Sequence, residues 1–148
     1  MAQQDAALER DYWFTLARAP VALEAPEAVG EAAAARALRR LGARQIATRT
    51  VPVVFPAELA RGLFGHLIAA IRGTSQYRQA SFLLGAKGER VFPDFVDIEE
   101  DPLIPQAMAS AAFDNEGVAT RRRRLVEKGV LSGYVLSSYS ARRLSTQT

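Results

Sequence analysis

The chain has 148 residues, 49% apolar and 24% charged, with a formal net charge of +3 and a pI near 9.7. That is enough for one ordinary domain with its own core, and too mild a basic excess to require a nucleic-acid partner. The absence of cysteine excludes disulfides and thiol nucleophiles and suits a reducing compartment such as the cytoplasm. No apolar run approaches the length of a membrane span, and MAQQDAALERDYW has no secretory signature.

Residues Asp11 to Ala17 alternate as a short strand, with Tyr12, Phe14 and Leu16 on one face and Trp13, Thr15 and Ala17 on the other. Residues 18–25 read as a linker beside Pro20 and Pro26. Pro26 to Leu41 predicts a helix: Pro at its start, Glu27 and Glu31 at its positive end, and Arg36, Arg39 and Arg40 near its negative end. Gly42 follows as the stop. Val29, Ala33, Ala37, Leu38 and Leu41 form its apolar stripe. Gln45 to Phe55 predicts a strand through Val51, Val53, Val54 and Phe55, with Pro52 placing it at an edge or a bulge.

Phe55 to Gly73, FPAELARGLFGHLIAAIRG, is the helix around which the chain is organised. Leu59, Leu63, Phe64, Leu67, Ile68 and Ile71 recur at three- and four-residue spacing. Gly62, Gly65, His66, Ala69 and Gly73 form a second, small-residue face. A helix apolar on most sides is expected to be buried on most sides, and its interior glycines predict close backbone packing. Gly73 is read as its end, with a short turn or helix through Leu84 and a turn at residues 85–88.

Short strands are expected at 90–92 and 95–98 around Pro93. The acidic run Asp97, Glu99, Glu100 and Asp101 lacks the glycine and the spacing of a calcium loop and reads as a solvated strand end. A loop through Ala112 leads into FDNEG. There Asp114 and Glu116 are either a general-base pair or parts of a turn closed by Gly117, and turn chemistry favours the second. Thr120 to Val126 carries Arg121, Arg122, Arg123 and Arg124. They are either a phosphate or nucleic-acid contact or an exposed strand; alternation splits them between two faces, and no aromatic residue is interleaved. Glu127-Lys128-Gly129 predicts a hairpin turn with a return strand at 130–135, and residues 137–144 a helix capped by Ser137 or Ser138.

The catalytic chemistry is sparse. A zinc hydrolase site needs about three protein ligands and an open position. This chain has one histidine, His66, no cysteine and no helical His pair, so His66 reads as a hydrogen-bonded packing residue. No phosphate loop, nucleophile elbow or dinucleotide fingerprint is present.

GLFGHLIAAIRGTSQYR, FLLGAKGERVFPDFVDIEEDP, FDNEGVATRR, GVLSGYVLSSYSARRL and DYWFTLARAP resemble, in order, segments of the TldD/PmbA family of bacterial peptidases, in its PmbA (TldE) branch. The TldD branch carries His-Glu-x-x-x-His on the central helix. Laid together on Gly73, that motif falls on Phe64, Gly65 and Ala69, none of which binds metal or moves a proton. Positions five apart lie about 140° apart on a regular helix, so the motif needs a distorted one. The resemblance implies an α+β fold of two or three main helices with a mainly antiparallel sheet, part of a larger domain. It implies the end of an N-terminal domain and a linker over 1–25, a bridging helix over 26–45, and an incomplete first part of the C-terminal domain over 46–148. It further implies a cytoplasmic heterodimer in which a TldD-like subunit holds zinc and hydrolyses unfolded peptides, including microcin precursors and antitoxins. No catalytic or metal residue is expected here; His66, Asp114 and Glu116 remain as structural or substrate-facing positions. The alternative is a non-enzymatic modulator of DNA gyrase, carried by Arg121–Arg124.

Overall fold

The computed structural model describes residues 1–147 and has an α+β fold: four helices and two small antiparallel sheets among those residues. The chain divides into two compact units, residues 1–52 with 105–108, and residues 53–104 with 109 onward.

The first unit opens with a hairpin that the sequence does not announce. β1 (Ala2–Gln4) pairs antiparallel with β2 (Ala7–Glu9), and Asp5 takes the positive φ of the turn. Residues 11–17 keep the expected alternation, with Tyr12, Phe14 and Leu16 exposed and Trp13 and Thr15 half-buried. They are not a strand, because among the described residues no strand pairs with them and a ladder needs one. Trp13 is covered in place: its indole N–H donates to Glu24 at 3.3 Å, and the Arg36 guanidinium lies 5.2 Å from the ring centre. Arg36 belongs to α1 (Pro26–Leu38), whose Pro26 and Glu27 occupy the first turn. Val29, Ala33, Ala37 and Leu41 are buried or half-buried, whereas Leu38 is exposed. Asp11 ties the segment to the helix by accepting from the Tyr12 N–H at 2.7 Å and from Arg36 Nε at 3.3 Å. The expected strand over 45–55 is absent: those residues are exposed and have no ladder partner among the described residues.

The second unit is built on α2 (Ala57–Ile71), α3 (Gly73–Tyr77), a three-stranded sheet and α4 (Ser138–Arg143). The sheet has the order β3 (Ile98–Glu100), β4 (Arg123–Glu127), β5 (Val130–Leu131), all antiparallel. The β4–β5 turn is Lys128-Gly129, both at positive φ, as a tight two-residue hairpin requires. Gly129 is needed twice over. Its N–H donates to the Val96 carbonyl at 2.8 Å, its own carbonyl accepts from Val91 and Phe92, and a Cβ there would overlap the Phe92 carbonyl oxygen. The strands expected at 90–92 and 95–98 shrink to a single bridge, Arg90 with Val130, and to β3, since Pro93 cannot donate to a ladder.

The core is Leu67 and Ile71 of α2 against Leu125 and Val126 of β4 and Leu131 of β5. Tyr134 packs at its margin and donates to the Leu83 carbonyl at 3.1 Å. Only the C-terminal end of α2 takes part. Leu59, Leu63 and Phe64 are 63%, 52% and 48% exposed, contrary to the expectation of burial on most sides. Around Gly62 and Gly65 an added Cβ would meet nothing within 4 Å, so the close packing expected of them is also absent from this unit. No helix among the described residues is long and apolar enough to cross a membrane.

Candidate functional site

α2 is a continuous α-helix through Ile71, so Phe64 and Ala69 diverge by about 140° and the distortion that would bring them together is missing. Phe64, Gly65, His66 and Ala69 are all exposed, and none of Phe64, Gly65 and Ala69 has a donor atom in its side chain. His66 forms no hydrogen bond among the described residues, unlike the packing residue expected of it. Among those residues no three His, Cys, Asp or Glu side chains converge. A zinc ion of the kind held by His-Glu-x-x-x-His therefore has no matching ligand set on this helix.

The helix ends abruptly. Arg72 is extended, with φ −64° and ψ 139°, and α3 starts at the next residue. The last three carbonyls of α2 are taken: Ala69 by the Ser75 hydroxyl at 2.7 Å, Ala70 by Gln76 Nε2 at 2.6 Å and the Ser81 hydroxyl at 2.7 Å, and Ile71 by the Val135 N–H at 3.0 Å. The Gly73 N–H returns a bond to the Val135 carbonyl at 2.8 Å. Gly73 leaves room for Ser140, whose side chain a Cβ would overlap. Ser140 is held in turn by a reciprocal cap at the start of α4. Its hydroxyl accepts from the Ser137 N–H at 2.9 Å, and the Ser137 hydroxyl accepts from the Ser140 N–H at 3.2 Å.

Asp114 and Glu116 come to this junction from a turn closed by Gly117 at positive φ. Asp114 Oδ1 accepts from the Glu116 and Val118 N–H groups at 2.8 and 2.9 Å. Glu116 Oε2 accepts from the Ser138 N–H at 2.8 Å and the Ser138 hydroxyl at 3.0 Å, fastening the turn to α4. One cleft of about 460 Å³ is lined by Arg72, Thr74, Asp114, Asn115, Glu116 and Leu136 among others. It brings together two of the residues singled out in the sequence, Asp114 and Glu116; His66 does not line it. Arg72, not singled out as functional, also lines it. The signal available was the polar GTSQ immediately after an apolar helix.

The arginine run leads into the central strand β4 and is met by the acidic run on β3. Arg122 Nε pairs with Glu99 at 2.5 Å, Arg123 Nε with Glu100 at 2.5 Å, and Arg124 with Glu127. The hydrogen bond and charge of Glu99 raise the Arg122 pKa further above its ordinary value. A larger cleft, about 630 Å³, includes Gln76, Lys87, Arg121, Arg123 and Arg124 in its lining. Carboxylates already engage two of those cations, which weakens the case for a phosphate-binding surface.

Comparison with known proteins matches residues 48–148 to the PmbA/TldA metallopeptidase C-terminal domain. The chain is 45% identical over its whole length to Metalloprotease PmbA of Escherichia coli O157:H7, covering 33% of that protein. It is 44% identical over 93% of its length to a Metalloprotease PmbA homolog of Haemophilus influenzae, covering 31% of it. It thus spans about a third of the length of these curated relatives. A crystal structure from Thermotoga maritima, described as a candidate modulator of a DNA gyrase, superimposes with a TM-score of 0.83 at 31% identity, over 91% of this chain and 31% of that one. The crystal structure of TldE from Thermococcus kodakarensis aligns over 59% of this chain and 20% of its own, with a TM-score of 0.54 at 31% identity. The chain belongs to the PmbA/TldD family of metallopeptidases.

Proposed function

We propose that this chain is part of a PmbA/TldE-type subunit that works beside a metal-bearing TldD-type subunit in the cytoplasmic hydrolysis of unfolded peptides, such as microcin precursors and antitoxins. The observation that carries this reading is α2. Where the resemblance puts a His-Glu-x-x-x-His motif, the helix offers Phe64, Gly65 and Ala69, on a regular backbone that separates the outer two positions. Zinc would be held, and water activated, in the partner. This subunit contributes wall and contact surface through the exposed Leu59, Leu63 and Phe64. The domain division suggested by the resemblance, with 46–148 as the first part of a longer C-terminal domain, belongs to the same reading.

The test is co-purification with a TldD homologue, followed by a peptidase assay with each chain alone and with both, and zinc analysis of each. Chelator-sensitive activity that requires both chains, with zinc only in the TldD homologue, is the expected result. One tightly held zinc per copy of this chain, or peptide cleavage by it alone, defeats the proposal.

A further inference from the structure

We draw no further inference here: the strongest candidate, the exposed apolar surface that Leu59, Leu63 and Phe64 form on the N-terminal half of α2, carries none because nothing in the structure shows what covers it.

Discussion

Replacing Leu67 and Leu63 by alanine, one at a time, tests the most unusual property of α2, namely that one end is core and the other is bare. The two leucines are one turn apart on the same helix and differ in burial: Leu67 is 5% exposed and Leu63 52%. At Leu67 the change removes three carbon groups from a cluster shared with Ile71, Leu125, Val126 and Leu131. At about 0.8 kcal/mol per buried group the transfer contribution is about 2.4 kcal/mol, and the cavity left behind raises it to about 3 kcal/mol. At Leu63 half of that transfer contribution applies, about 1.2 kcal/mol, with no enclosed cavity to add. Alanine's better helix propensity returns a few tenths, leaving about 1 kcal/mol. The assay is equilibrium urea unfolding followed by far-ultraviolet circular dichroism, comparing midpoints at unchanged slope. A loss at Leu63 equal to that at Leu67 would refute the placement of α2, since it would require a covering surface that the second unit does not provide.

Gly129→Ala is expected to cost more than about 2 kcal/mol in the same assay, because it combines a φ of +78° with overlap on the Phe92 carbonyl. Asp11 has its pKa lowered from the ordinary 3.8, first by the Tyr12 N–H and then by Arg36 and Arg40. Its contribution to stability is therefore complete above the unfolded-state pKa and is lost as pH falls through the lower folded value. Asp11→Asn should lower stability near neutrality and flatten that acid limb, the variant and the parent converging at low pH, as measured by unfolding between pH 2 and 7, about the range over which a carboxylate titrates. Replacing Arg122, Arg123 and Arg124 together by glutamine should leave retention on DNA at moderate salt unchanged, since their charges are met by Glu99, Glu100 and Glu127. A large, salt-dependent drop in retention would restore the nucleic-acid alternative.

What the sequence made legible is local. The first turn of α1, the Lys128-Gly129 hairpin and the Ser137 cap of α4 are each written in a few adjacent residues, and each forms where it is expected. Two of the expected strands that fail, 11–17 and 45–55, have the right residue types, and 11–17 even has the right alternation of exposure. A strand also needs a neighbour, which composition does not report, and neither segment has one among the described residues. For α2, periodicity located the helix correctly but said nothing of what covers it: the same apolar spacing serves the buried Leu67 and Ile71 and the exposed Leu59 and Leu63.

The end of α2 was legible to within two residues, at Gly73, but what imposes it at Arg72 was not. Arginine is a good helix former, and nothing in its chemistry ends a helix there. The break is imposed from a distance by Val135, which bonds both Ile71 and Gly73, and is held by Ser75, Gln76 and Ser81, which take the carbonyls of Ala69 and Ala70. The same long-range logic separates the charged residues by use. The arginine and acidic runs looked like two candidate surfaces and in fact largely satisfy each other across β3 and β4. Arg72 stands outside that exchange: it lines a cleft with Asp114 and Glu116 and forms no ion pair among the described residues.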